Sequence, residues 1–323
     1  MVKLVLTATS YCLDLKVGEL TNSKWHPIRL LGHLLHIVEK TVYKKSKLAG
    51  FFYVSISIST VILLYRSIKV ISKSKLHPAN LILSAFIYFF IVNQALASNA
   101  LYKEALNIKE NLLVNDIKSA RHNLKALVGR NVDDLKEDGI VKAVIESVAE
   151  NTTDTVISPL FYGSLFSDLA VLVFKTVNTM DSMVGHKNEA YSEFGYFAAK
   201  MDDLANFIPA RISFVLLIIL SPKKLVNAIK DYRLGGKLHP SPNAGLIESG
   251  FATILNVTLG GDVMYGSEVD HRPVLNGNAR QPKIDDISLA IALSKKIAIA
   301  FLISVSGTRF AFLMLKRSKS SRG

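Results

Sequence analysis

Residues 48–65, LAGFFYVSISISTVILLY, contain no charged side chain. As an α-helix rising 1.5 Å per residue, the stretch extends about 27 Å, close to the thickness of a bilayer's hydrocarbon core. It therefore reads as a membrane-spanning helix. Working outward, residues 81–97 give a second candidate after His77-Pro78, with Asn93 and Gln94 as its strongly polar groups. Residues 297–315 give a third, interrupted by Gly307 and Arg309, and an arginine there must snorkel, find a carboxylate or face a wet cavity. Residues 204–220 give a fourth, expected to enter the membrane only from Ile212 because Pro209 and Arg211 fall in its first half. The opening stretch Met1–Leu15 carries Lys3 and Asp14, which leave too short an apolar core for a span, and no small-residue cleavage site marks it as a signal peptide.

Composition agrees with that reading. Half of the 323 residues are hydrophobic and only 20% are charged, so the expected architecture is all-α and polytopic, one membrane-embedded domain over 1–323. The net charge of +13 raises nucleic acid as a partner. Yet the basic residues sit beside apolar runs: Lys40, Lys44, Lys45 and Lys47 before the first, Arg66, Lys69, Lys73 and Lys75 after it, Lys316, Arg317, Lys319 and Arg322 at the end. Anionic lipid headgroups account for that placement, and nucleic acid is not expected. With basic clusters on both sides of the first span, the positive-inside rule sets no orientation. Cys12 is the single cysteine, which excludes an intramolecular disulfide and any multi-cysteine metal site.

Two polar stretches, about 103–200 and 223–286, hold the unusual chemistry. In Glu146-Ser-Val-Ala-Glu150-Asn151-Thr-Thr-Asp154 the carboxylates fall at i, i+4, i+8 and are expected to stack on one helix face. No Lys or Arg occurs from Ala143 through Phe174, so a cation from elsewhere is expected on that face. A solvated acidic face is the ordinary alternative, but carboxylates are the minority charge in this chain.

A second group is Asn178-Thr-Met-Asp181 followed by Asp202-Asp203-Leu-Ala-Asn206 and Arg211. Asp203 and Asn206 share a face at i, i+3, and with Asp181 they offer hard oxygens of the kind Mg²⁺ shares with phosphates; Arg211 suits a phosphate. The plain alternative makes Asp202 a helix cap. The third group is His239-Pro-Ser241-Pro-Asn243-Ala-Gly245 with Glu248, then Gly260-Gly261 and Tyr265-Gly266. Its prolines predict a rigid turn into a helix whose free N–H groups, with Ser241 and Asn243, hold an anion. His26-Pro-Ile-Arg29 and Arg121 through Gly129-Arg130 add donors and cations beside helical segments.

Together and in this order, with Asp14 and Gly18 ahead of them and Pro159-Leu-Phe among them, these motifs resemble the CobD/CbiB family, cobinamide-phosphate synthases of cobalamin biosynthesis. The resemblance covers most of the chain. It implies a multi-pass cell-membrane enzyme that uses ATP to join adenosylcobyric acid, a corrinoid, to (R)-1-amino-2-propanol or its O-phosphate. A homo-oligomer is compatible with it.

Activation of the carboxylate as an acyl phosphate needs Mg²⁺, cations for phosphate and a base. Glu146, Glu150, Asp154, Asp181, Asp202 and Asp203 are the candidates for catalytic work, with Glu150, Asp154, Asp202 and Asp203 for Mg²⁺. His26, Arg29, Arg121, Arg130, Asn151, Asn178, Arg211, His239, Ser241 and Asn243 are the candidates for substrate. Two rivals are a Mg²⁺-dependent prenyl or phospholipid transferase, suggested by Asp202-Asp203-Leu-Ala-Asn206 beside a membrane, and a non-enzymatic membrane regulator, which predicts decay of the acidic motif.

Overall fold

A computed structural model describes residues 1–18, 26–71, 78–185, 189–265 and 268–320. Of the residues singled out above, Lys73, Lys75, His77, Gly266 and Arg322 lie outside these. The chain runs through α1 (Val2–Val17), α2 (Pro27–Val42), α3 (Lys47–Ile71), α4 (Pro78–Ala95), α5 (Ser98–Leu113), α6 (Ile117–Leu124) and α7 (Glu137–Asn151). After a π-helical turn at Thr152–Ile157 come α8 (Ser158–Leu165), α9 (Asp168–Val184), α10 (Tyr196–Leu220), α11 (Leu225–Leu234), α12 (Ala244–Leu255) and α13 (Ile284–Ser320). Between α12 and α13 two short antiparallel ribbons pair β1 (Leu259–Gly260) with β4 (Val274–Leu275) and β2 (Val263–Tyr265) with β3 (Glu268–Asp270). The protein is all-α and polytopic, with four helical stretches among the described residues long and apolar enough to cross a membrane: Lys47–Val70, Asn80–Leu113, Tyr196–Leu220 and Ile284–Met314.

The second stretch runs through both α4 and α5; the other three are longer than charge counting predicts, and charged residues inside the first and last find partners. The helix around 48–65 continues through Lys69, whose ammonium lies 3.0 Å from Asp168. The last begins at Ile284, not Ile297; its Lys295 sits 5.1 Å from the Tyr102 ring centroid, a cation–π position. The 204–220 candidate is part of a helix that starts at Tyr196 and passes straight through Pro209. Proline cannot donate to the carbonyl four residues back. Here Tyr162 Oη donates to that carbonyl, Ala205 O, at 2.9 Å. A side chain thus replaces the missing backbone donor, and the helix runs unbroken through Pro209 and Arg211.

The described residues pack as two compact units, each assembled from two stretches of chain. The first, Met1–Ala97 with Ser158–Asn206, has a core of Leu35, Tyr53, Val61, Val177, Met180, Val184 and Phe194. In it α1, shorter than the four span-length helices, turns Thr7, Ser10 and Asp14 inward and leaves Val2, Val5 and Val17 exposed. Thr7 Oγ1 lies 2.9 Å from Tyr88 Oη, and Asn93 donates to Ser10 O at 3.3 Å. Small polar side chains joining apolar helices are the usual adhesive between membrane segments, and Asn93 owes its place in the α4 run to it.

The second unit, Ser98–Ile157 with Phe207–Gly323, buries Ile108, Leu112, Leu124, Ile140, Ile145, Phe251 and Phe301. Its helix α7 packs against α5, α12 and α13. Ser294 Oγ, at 2.7 Å from both Tyr102 Oη and Thr152 Oγ1, ties α13 to α5 and to the π turn.

Candidate active site

In the second unit the acidic face of α7 meets the cation its sequence lacks. Arg130 Nη2 donates to Glu146 Oε2 at 2.8 Å, with both side chains about nine-tenths buried. The other carboxylate oxygen, Glu146 Oε1, accepts from Gly260 N–H at 2.7 Å, and Lys142 Nζ donates to Gly260 O at 3.2 Å. Gly260 can present both groups because its φ is +71° and because a Cβ there would lie 2.1 Å from Pro273 O; only glycine fits. A guanidinium on one oxygen and a backbone N–H on the other therefore fix Glu146, whereas Glu150, one turn on, is exposed.

The i, i+4, i+8 row does not run on to Asp154. The α ladder ends at Asn151 and Asp154 lies in the π turn. Thr152 Oγ1 bonds back to Val148 O and Thr155 Oγ1 to Asn151 O. Pro159, just beyond, has no N–H for the preceding turn. Wide turns of this kind concentrate at functional sites. Asn151 donates to Ser147 O at 2.9 Å, and Asp154 is half-buried.

The His-Pro-Ser-Pro-Asn turn leads into α12 as expected, but the N–H groups at the helix start are already engaged. Ala244 N–H donates to Ser241 Oγ and Gly245 N–H to Ser241 O, so the expected backbone anion cradle is not formed by these two groups. Instead the turn folds back on its own helix. Gly245 makes that possible: a Cβ there would stand 2.1 Å from Gly236 O and 2.5 Å from His239 Cβ. Ser241 N–H meets His239 Nδ1 at 3.1 Å, and His239 Nε2 lies 3.8 Å from Glu248 Oε2. Arg211 Nη1 donates to Asn243 Oδ1 while its guanidinium carbon stacks 3.7 Å from the Phe207 ring centroid.

Glu248, which was read as part of this motif but not as a site residue, is 2% exposed in an otherwise uncharged apolar helix. Burial pushes its carboxyl well above the usual carboxylate range; repulsion from Glu146 and Glu150 adds to the rise, and Arg272 and Arg130 oppose it. Glu248 thus belongs to one electrostatic cluster with Glu146, Glu150 and Arg130, and His239 stands beside it. The sequence signal was present: one carboxylate in AGLIESGFATIL has to be paired or neutral.

In the first unit, Asp202 is held by two carboxamides. Asn178 Nδ2 donates to its Oδ1 at 3.3 Å and Asn206 Nδ2 to its Oδ2 at 3.0 Å; Ser158 Oγ and Lys175 Nζ bond the oxygens of Asn206 and Asn178. Asn206 thus pairs with Asp202 at i, i+4 and not with Asp203, which turns to Lys200 at 3.7 Å. Asp202 lies inside α10, so it caps nothing. Asp181 is half-buried near the end of α9. His26 caps α2, its Nδ1 accepting from Ile28 N–H at 3.2 Å, and Arg29 is exposed one turn on. In the second unit Arg121 Nε donates to Leu135 O at 2.8 Å, holding the loop before α7.

Among the described residues no three His, Cys, Asp or Glu side chains converge on one metal-sized point. The donor chemistry fits Mg²⁺ all the same. That ion is commonly held by one or two carboxylates with substrate phosphates and water, and each Asp202 oxygen, bonded to one carboxamide, keeps acceptor capacity.

The CobD/Cbib protein family model matches residues 7–294. The chain is 35% identical over 295 residues to "Cobalamin biosynthesis protein CobD" of Clostridium perfringens, covering 89% of this chain and 91% of the relative. The protein of the same name from Listeria monocytogenes serotype 4b is 36% identical over 318 residues, covering 94% and 98%. That from Mycobacterium tuberculosis H37Rv is 33% identical over 288 residues, covering 88% and 89%. No solved structure matches the chain. A match of this length, on a helical membrane scaffold that buries a carboxylate–guanidinium–imidazole cluster, makes the chain a member of the CobD/Cbib family.

Proposed function

We propose that the chain forms the amide between a side-chain carboxylate of adenosylcobyric acid and the nitrogen of (R)-1-amino-2-propanol O-phosphate, consuming ATP with Mg²⁺ in a multi-pass cell-membrane setting. Family membership supplies the coarser part, an enzyme's role in cobalamin biosynthesis. The observation that carries the finer part is the cluster around Glu146: buried carboxylates, an arginine and a histidine, with the exposed Glu150 at its edge.

A carboxylate expels oxide too poorly to acylate an amine. In the proposed sequence the γ-phosphoryl group of ATP passes to a carboxylate oxygen, releasing ADP; the amine nitrogen then attacks the carbonyl carbon, the C–N bond forms, and the C–O bond breaks with loss of phosphate. When bound, Mg²⁺ neutralises charge on the phosphate oxygens. Asp202 and Asp203 in the first unit, and separately Asp154 and Glu150 in the second, offer the oxygens proposed for such an ion. Arg130, Arg211 and Arg29 supply cations for phosphate or propionate-type groups. Glu150 is the exposed carboxylate able to take the ammonium proton before attack.

The test is purified protein with adenosylcobyric acid, Mg-ATP and the two amines in competition at limiting concentration, products separated by mass. Losing a hydrogen bond to a charged group costs about 1.5–3 kcal/mol, so the phosphorylated amine is expected to be preferred by about ten- to a hundred-fold. Equal incorporation removes the amine-phosphate pocket, and conversion of neither removes the reaction. Glu150→Gln and Asp202→Asn are each expected to cut turnover by about two orders of magnitude or more while the protein stays folded in detergent. Near-normal turnover in both would leave Glu150 on a solvated acidic face and Asp202 as a packing group of α10.

A further inference from the structure

Helix α11 follows the end of the α10 span after residues 221–224. The connector includes a 3₁₀ turn at Pro222–Lys224, which advances about 2 Å per residue. Leu225 therefore lies within roughly 10 Å of the end of the span. The Phe214 and Tyr232 rings, with centroids 6.4 Å apart, brace α11 against that span, and Ala228 is fully buried as α11 packs on α12.

The rest of α11 divides into two contrasting faces. Asn227, Lys230 and Asp231, with Lys224 just before the helix, line a pocket of about 390 Å³ open to solvent. On the opposite side Leu225, Val226 and Ile229 fall within about one quarter to one third of a turn. They are 42%, 75% and 37% exposed. Arg233 shares their arc, and Lys223 and Lys237 flank the helix.

We propose that α11 lies in the headgroup layer of the bilayer, with Leu225, Val226 and Ile229 reaching the acyl boundary, Lys223, Arg233 and Lys237 on lipid phosphates, and the pocket face turned to water. Exposed aliphatic side chains a few residues beyond a span, ringed by cations, are what an interfacial helix presents to an anionic surface. The inference stands on the membrane fold and does not depend on the proposed reaction.

Trp25 is the only tryptophan. In a Trp25→Phe background, Val226→Trp, Ile229→Trp and Asn227→Trp would each be introduced into the full chain. Each variant would be reconstituted in vesicles of phosphatidylcholine and phosphatidylglycerol with brominated acyl chains. Quenching by bromine is expected to be about two-fold or more stronger for Val226→Trp and Ile229→Trp than for Asn227→Trp, with the order reversed for aqueous iodide. Equal bromine quenching at all three positions would overturn the proposal. So would a Val226 or Ile229 probe shielded from bromine and iodide alike, since that face would then be covered by protein. Two probes on the apolar face keep the test decisive if one variant fails to reconstitute.

Discussion

The buried carboxyl of Glu248 makes a pH-dependent prediction with a definite sign. Its folded-state value is raised by burial first and by Glu146 and Glu150 second, so the folded protein binds a proton that the unfolded chain releases near pH 4.3. The stability tied to that proton is fully present below about pH 4.3 and is lost as pH rises through the higher folded-state value. Glu248→Gln, which keeps shape and cannot ionise, is therefore expected to gain thermal stability in detergent relative to the parent as pH is raised from about 5 to 8. A parallel pair of melting curves would mean that Glu248 is ionised and paired. At this scale the sequence revealed residue types better than partners. The missing counter-ion for Glu146 was legible from the empty stretch after Ala143, but not that it is Arg130. Asp202 and Asp203 are adjacent in DDLAN, and their separation into a carboxamide-held and a lysine-facing group depends on where α10 begins. The bond from Asn206 to Asp202 was not legible from spacing, because Asn178 on Asp202 and Ser158 on Asn206 come from distant parts of the sequence.

At the scale of the helix, the hydroxyl of Tyr162 substitutes for the N–H that Pro209 removes from α10. Tyr162→Phe leaves the Ala205 carbonyl without that donor in a membrane segment, at an expected cost of about 1–3 kcal/mol. With Pro209→Ala the backbone bond returns, and the same Tyr162→Phe change should cost less. A double-mutant cycle on detergent unfolding measures the difference, and a cost unchanged by Pro209→Ala would mean the hydroxyl acts elsewhere. The existence of the four span-length stretches was legible from apolar runs, even where Pro209, Arg211, Gly307 or Arg309 interrupts them; their ends were not. Charged residues stop an apolar count, yet Lys69 and Lys295 continue their helices because Asp168 and Tyr102 receive them. The π turn was hidden for a related reason: it depends on threonine back-bonds and a following proline, not on periodicity.

For the whole molecule, the spans predict that the protein remains with membranes through alkaline carbonate and high-salt washes. Release by salt alone, followed by fractionation of the supernatant, would show that the basic clusters hold it there. The order in which the chain visits its two units has a further consequence during synthesis. The helices of residues 1–97 are completed by residues 158–206, and 98–157 belong to the other unit. At about 5–20 residues per second, the ribosome needs several seconds after residue 97 before α8–α10 have emerged. During that interval α1 can pack on α4 and α2 on α3, but these pairs must persist in the lipid, or in a chaperone's care, without α8 and α9. A pause or stop engineered between residues 98 and 157 would expose the nascent chain to proteolysis while its first helices still lack α8 and α9.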